Sequence, residues 1–273
     1  MDSKKKAIII VAVVVVLIVA VFAAQALNDK HEEGRESDVT FLIQDDKGVY
    51  FWIDGKGETV YDAFVDAADK FDIPFVPSEN SYGKGIQSLF GLGMNQVSEK
   101  EWVYWQQYSY KDGAWVLNDV TMEKIAAADA EYTAIVYGGY GAQVAVTDVS
   151  KAKVWDFSTE GTVFTVESNT GLYYRINGVG ETVFDAWTNA AEIYSVPFVP
   201  SDKSYGKGIE SMYGLKMVQE ESGNYSYWTQ YEIVDGAWGY ASATMEKLKS
   251  DSCSQFLIVY SLDGKTPELV APL

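Results

Sequence analysis

Cysteine and histidine are nearly missing from this chain. Of its 273 residues one is a cysteine, Cys253, and one a histidine, His31. A single cysteine excludes an intrachain disulfide. A zinc site of the Cys/His type needs three or four such ligands, so that chemistry is excluded as well. Ser-His and Cys-His nucleophilic catalysis require a histidine base beside the nucleophile, and His31 stands alone in a polar stretch. Cys253 lies beside an apolar strand pattern and reads as a small core residue. Proline is also scarce, at six residues.

Positive charge is the next shortage. Lys and Arg number 21 against 39 Asp and Glu, a net charge of −18. So acidic a surface repels phosphate backbones, which excludes DNA and RNA as partners, and it disfavours docking on anionic lipid. Long apolar runs are absent except for one. Ala7–Ala24 is 18 residues without a charge, and it follows Lys4, Lys5 and Lys6. Its length suits a bilayer span better than a signal-peptide core. Ala24-Gln25-Ala26 has the small-x-small form of a signal peptidase site, so the segment 1–26 is read as a transmembrane signal-anchor, or as a signal peptide cleaved after Ala26. With the lysines left in the cytoplasm, either reading puts the rest of the chain outside it. The protein is then a single-pass cell-membrane protein, or a secreted one if cleaved. Residues 27–38 are charged and form a stalk.

The remainder is built from one pattern used twice. PFVPSENSYGKGI at Pro74–Ile86 returns as PFVPSDKSYGKGI at Pro197–Ile209, 123 residues later, and 44 of the 101 positions from 39 to 139 are identical at that offset without a gap. Two ungapped copies imply one fold made twice: a first repeat at 39–139, a connector at 140–161, a second repeat at 162–262 and a tail at 263–273. The connector carries Val144, Val146, Val154, Trp155 and Phe157 and should pack; the tail reads as a loose extension.

Within a repeat, Val39–Gln44 and Val49–Ile53 are strand patterns joined by Asp45-Asp46-Lys47-Gly48, a hairpin. Thr59 with Asp62 forms a helix-start signature, repeated by Thr182 and Asp185, before an apolar spacing of helical period. Pro74 and Pro77 end that helix and open the duplicated stretch, read as a loop running to a short strand at Ile86–Leu92. Trp102–Tyr110 is an aromatic strand, Ala114–Leu117 pairs back across Asp112-Gly113, Thr121–Ala128 is a short helix, and Tyr132–Tyr137 is a central strand. The expected fold class is α+β: two tandem β-grasp-like domains, each a mixed sheet packed on one helix, behind an N-terminal transmembrane helix.

These stretches resemble the transcobalamin C-terminal-like domain family, a β-grasp family found on microbial surface proteins. The resemblance rests on GETVYDAFVDAA and GETVFDAWTNAA, SYGKGIQSLFGL and SYGKGIESMYGL, WVYWQQY and YSYWTQY, and the terminal TAIVY and FLIVY strands. It covers about 100 residues of each copy. Asp112-Gly113 and Asp235-Gly236 stand where members usually carry Asn-Gly. The resemblance implies a corrinoid as one candidate ligand. Without a histidine in either repeat, such a ligand would be held through aromatic and amide contacts, by Tyr82, Lys84, Trp105, Gln107 and Trp115 and by Tyr205, Lys207, Trp228, Gln230 and Trp238.

Other constellations have plainer explanations. Glu58 and Asp62, with Glu181 and Asp185, are capping and dipole groups of a helix start rather than a catalytic pair. Glu123-Lys124 and Glu246-Lys247 read as a solvated helix face. SYGKG lacks the spacing of a phosphate-binding P-loop, and its glycines read as a tight backbone path into a strand. On the aromatic strand, alternation puts Tyr104, Gln106 and Tyr108 on one face and Trp105 and Gln107 on the other. One face meets the helix; the other is a candidate platform for a ring or a partner. The sequence therefore predicts a membrane-anchored, non-enzymatic binding protein without a cofactor. The alternative is a structural or adhesive surface protein using its repeats for protein contacts. Gly93 to Lys216, Gln106 to Thr229 and Trp52 to Arg175 mark where the copies differ.

Overall fold

The computed structural model describes residues 36–204, 206–262 and 270–273. The expected membrane segment, the signal peptidase site, most of the stalk with His31, Tyr205 and residues 263–269 lie outside them. Among the described residues no helix is long and apolar enough to cross a membrane.

The two repeats fold alike, as α+β units dominated by sheet. In the first, β1 (Ser37–Gln44) and β2 (Tyr50–Gly57) form the expected hairpin, and β9 (Tyr132–Gly139) lies parallel to β1. β7 (Trp102–Lys111) runs antiparallel to β9 and carries β6 (Asn95–Gln96) and β8 (Ala114–Leu117) on its sides, giving the order β2-β1-β9-β7-β6 with β8 on β7. In the second, β10 (Thr162–Glu167), β11 (Tyr173–Gly178), β15 (Val218–Gln219), β16 (Tyr225–Val234), β17 (Ala237–Tyr240) and β18 (Gln255–Leu262) repeat that order. The β9 and β18 strands are central and almost wholly apolar, as the sequence predicts.

Each sheet packs one face on one helix. α1 (Val60–Lys70) and α2 (Val183–Ile193) start with the full capping box: Thr59 with Asp62 and Thr182 with Asp185 each satisfy the other's backbone N–H. Their apolar stripes bury Ala63, Phe64 and Ala67, and Ala186, Trp187 and Ala190. Edge-to-face rings lock helix to sheet, Phe41 on Phe64 at 5.6 Å and Phe164 on Trp187 at 5.2 Å. Gly55 and Gly178 let the helix come this close, because a Cβ there would overlap the carbonyls of Ala63 and Ala186.

The duplicated stretch is not a loop. β3 (Phe75–Asn80) and β4 (Gly83–Leu89) pair as a hairpin and, with β5 (Leu92–Gly93), form a separate three-stranded sheet; β12 (Phe198–Lys203), β13 (Gly206–Met212) and β14 (Leu215–Lys216) do the same. Pro77 and Pro200 sit where the register shifts, between Val76 and Pro77 and between Val199 and Pro200. A residue without an N–H is tolerated at such a bulge. The expected helix at Thr121–Ala128 is two 3-10 turns, Met122–Lys124 and Ala127–Asp129.

The opposite face of each sheet is covered by the chain that follows the repeat. In the first repeat the connector lays Val144, Val146, Val149 and Val154 over Leu42, Trp52, Tyr108 and Val136. Trp115 Nε1 donates to Val146 O at 2.5 Å, and Gln44 donates to Gln143 O and accepts from Ala145 N. In the second repeat the end of the tail takes this part: Trp238 Nε1 donates to Val270 O at 2.6 Å, Arg175 donates to Ala271 O, and Gln255 exchanges two bonds with Leu273. Residues 270–273 are thus docked, not loose.

The repeats meet through equivalent surfaces, so that several contacts recur with their partners exchanged, as in an isologous dimer. Phe51 of β2 stacks on its counterpart Tyr174 of β11. Tyr50 OH donates to Ser195 O at 3.1 Å, and Tyr173 OH to Asp72 O at 3.0 Å. The buried Asp45 accepts from Ser168, its own counterpart, and from Thr170, both at 2.8 Å. Burial still pushes the Asp45 carboxyl above its ordinary range, against those hydrogen bonds. Besides an open hollow of about 640 Å³ between Phe90 and Glu167, one small cavity of about 30 Å³ lies between the repeats, lined by Phe51, Trp155, Tyr174 and Tyr194 among others. That is room for about one or two waters and no ligand.

Candidate ligand grooves

Glu123 ties the β3–β4 hairpin of the first repeat to the turn after β8. Its Oε2 accepts from Lys84 N at 2.9 Å, its Oε1 lies 3.5 Å from Lys84 Nζ, and Thr121 Oγ1 donates to Tyr82 O at 3.2 Å. These bonds pin the tip of the β3–β4 hairpin across the turn that follows β8. Gly83 has φ +124° and no Cβ, which would collide with Thr121 Oγ1 and Glu123 Oε2. Glu246 does the same for the second repeat, accepting from Lys207 N at 3.1 Å and lying 3.7 Å from its Nζ. The expected solvated face at Glu123 and Glu246 is therefore a hairpin clamp. That role needs a carboxylate facing the backbone and side-chain nitrogens of one lysine on another sheet, which no local pattern records.

Beneath each pinned tip, open grooves run along the aromatic strands. The first is about 350 Å³ and is lined by Tyr82, Tyr104, Trp105, Gln107, Asn118 and Thr121 among others. The second is about 520 Å³ and is lined by Lys203, Lys207, Lys216, Tyr227, Gln230 and Thr244, with Trp228 at its floor. Tyr104 and Tyr227, Trp105 and Trp228, Gln107 and Gln230, and Thr121 and Thr244 are identical pairs at the 123-residue offset. A further hollow of about 680 Å³ between α1 and β3 is bordered by Asp62, Asp66, Asp69 and Glu79.

The expected site residues divide. Tyr82, Trp105 and Gln107 come together in the first groove, and Lys207, Trp228 and Gln230 in the second. Lys84 does not join them: paired with Glu123, it borders the hollow between α1 and β3. Tyr205 lies outside the described residues. Trp115 and Trp238 do not join: they sit on the opposite face of the sheet, their indole N–H groups spent on the connector and the tail. Nor do the strand tryptophans form an exposed platform. Trp105 and Trp228 are buried, and donate to Leu92 O at 2.7 Å and Leu215 O at 2.9 Å, tying the small sheet to the large one. Tyr108 and Gln106 on the other face are covered as well, bonded to Ala142 O and to Gly138, Gly139 and Gly141. Both faces are covered at the middle of the strand, which is why the platform is missing; the exposed rings of these strands, Trp102, Tyr225 and Tyr240, sit at strand ends. At the mouth of the first groove two rings are exposed, Tyr82, 73 % accessible, and Tyr140, 82 % accessible.

The grooves offer aromatic rings, amides and hydroxyls, and the second adds the clamped Lys207 ammonium, which is the chemistry of holding a small polar ring compound. The groups with displaced pKa values lie elsewhere. Burial drives Glu167 up to about 7 against one hydrogen bond from Val270 N, raises the Tyr174 and Tyr213 phenols, and pushes the Cys253 thiol up to about 11. Cys253 is buried, the core role expected of it.

No protein-family model matches this chain. No curated protein shows significant similarity to it.

Proposed function

We propose that this is a membrane-anchored extracytoplasmic binding protein without enzymatic activity, and that the groove of each repeat is a ligand site. The observation that carries the reading is the duplication of the groove: both repeats pin the same hairpin with the same Lys–Glu pair over the same Tyr, Trp, Gln and Thr. The family to which the repeats are assigned in this reading is the transcobalamin C-terminal-like one, with β-grasp-like domains. The hairpin, helix and returning strands support that, and a corrinoid is the candidate ligand it brings. Gln107 and Gln230 would take its amides, and the groove would cover one side of the ring. The anchor rests on Ala7–Ala24 and the lysines before it.

The test uses the full chain isolated from its host's membrane fraction. Native mass spectrometry should show a bound small molecule, and a corrinoid titration should quench tryptophan fluorescence in the wild type and not in a Gln107→Ala/Gln230→Ala variant. An empty protein that answers to no corrinoid sinks the corrinoid assignment. A second reading, an adhesive surface protein, is favoured by the exposed rings of Tyr82 and Tyr140. Self-association or a co-purifying protein lost on Tyr82→Ser/Tyr140→Ser substitution would decide for it.

A further inference from the structure

The two grooves share their floor and differ in charge. Asn80 becomes Lys203 and Gly93 becomes Lys216, Asp119 of the first groove becomes Ser242, and Gln87 becomes Glu210. Two positive charges are gained and one negative charge is lost against one negative charge gained, so the second groove is more positive by two. Lys207 is matched by Glu246, as Lys84 is by Glu123. Lys203 and Lys216 make no ion pair among the described residues, and both are exposed beside the groove.

This concentration of cations runs against the rest of the molecule. A chain of net charge −18 repels anions at long range, so a ligand bearing a carboxylate or phosphate needs a local reversal of field to bind. Lysine supplies it with a mobile point charge on a flexible stem, able to follow an oxyanion on ligands of differing shape. Around those ammonium groups the groove presents the Gln230 amide and the hydroxyl-bearing Ser201, partners for the hydroxyls of a ring. Its volume, about 520 Å³, lies in the range of small-molecule sites.

We propose that the groove of the second repeat selects an anionic, ring-bearing ligand, a sugar acid or sugar phosphate, which the first groove does not. This rests on reading the grooves as ligand sites and narrows what the second one takes. Lys203 and Lys216 hold the oxyanion; Gln230 and Ser201 hold the ring's hydroxyls.

Calorimetric titration of the full chain in detergent tests it with two acids and their uncharged counterparts: trigalacturonate against its full methyl ester, and glucose 6-phosphate against glucose. At least one acid should bind, its neutral counterpart should bind about tenfold more weakly or not at all, and added salt should weaken the acid. The Lys203→Asn/Lys216→Gly variant restores the residues of the first repeat, so it should keep its melting temperature and lose about tenfold in affinity for the acid. Lys203→Gln/Lys216→Gln should do the same if the glycine disturbs β14. The converse change, Asn80→Lys/Gly93→Lys, should add a second acid site. Equal binding of acid and neutral forms, or full acid affinity in both lysine variants, overturns the charge selection. If a neutral probe or a corrinoid still binds and is lost on Gln230→Ala, the grooves stand as ligand sites without it. If no probe of any charge binds, both conclusions fall.

Discussion

Phe51 and Tyr174 occupy the same position in the two repeats and stack on each other, their ring centroids 5.4 Å apart and their planes 14° from parallel. Phe90 and Tyr213, also equivalent, flank them from either side: Phe90 meets Tyr173 at 5.2 Å and Tyr213 meets Tyr50 at 5.1 Å. This seam should make the two repeats unfold as one cooperative unit. Phe51→Ala should cost about 3–4 kcal/mol, as for a buried phenylalanine. In urea, the wild type should unfold in one transition, and the variant should separate into two. A double-mutant cycle with Tyr174→Phe should leave a small coupling, because the stacked ring is retained.

Tyr213 gives a second test within the seam. Its hydroxyl donates to Tyr50 O at 2.9 Å and lies 2.6 Å from the Tyr174 hydroxyl. Tyr213→Phe supplies the residue of the first repeat but strands a buried hydroxyl on Tyr174, a loss of about 1–3 kcal/mol. Tyr174→Phe/Tyr213→Phe removes both partners and should recover most of that loss. Equilibrium denaturation of the three variants separates the cases; a double variant as weak as the single one would contradict the pairing.

Glu167 sets a pH dependence. Its counterpart Gln44 makes two hydrogen bonds to the connector, whereas Glu167 accepts one from Val270 N and its Oε2 has no partner. Its folded-state pKa is raised to about 7 from 4.5. The folded state therefore holds the proton more tightly than the unfolded one. This contribution to stability is fully present below about pH 4.5 and is lost as pH rises through about 7. Glu167→Gln should remove that fall and stabilise the protein at pH 8. Thermal melts from pH 5 to pH 8 measure it, and parallel curves for wild type and variant would refute it.

Gly55 and Gly178 should be intolerant. Adding a Cβ at either forces the helix off the sheet, so Gly55→Ala and Gly178→Ala should each cost roughly 3 kcal/mol or more, an overpacking cost with no space to relax into. Gly91→Ala, with φ +76° and open space around it, should cost about 1 kcal/mol, from backbone conformation alone. Comparing the three by denaturation distinguishes steric from conformational demand.

Local patterns carried much of this fold. The capped helices at Thr59 and Thr182, the first hairpin and the central strand at Tyr132 stand where alternation and capping chemistry put them, because each is settled by neighbours within a few residues. The hairpin at Phe75–Leu89 was hidden by Pro74, Pro77, Gly83 and Gly85, residues that ordinarily break strands. Pro77 is accommodated by a bulge, and that compensation is visible only once the strands are paired. Trp115 and Trp238 were drawn into the site by their repetition, yet they repeat because each sheet needs the same clasp on its covering segment. Glu123, Glu246 and the Phe51–Tyr174 seam depend on contacts between distant elements and left no periodic trace.

The seam also bears on how the halves came to differ. In a homodimer a substitution on the axis is made on both sides at once, and a tyrosine at position 51 would face another tyrosine across it. In a single chain one side can change while the other stays. Phe51 against Tyr174, and Phe90 against Tyr213, are that freedom in use. The same freedom extends to the grooves: joined end to end, the halves are inherited as a fixed pair, and one can acquire lysines while its twin keeps an asparagine and a glycine.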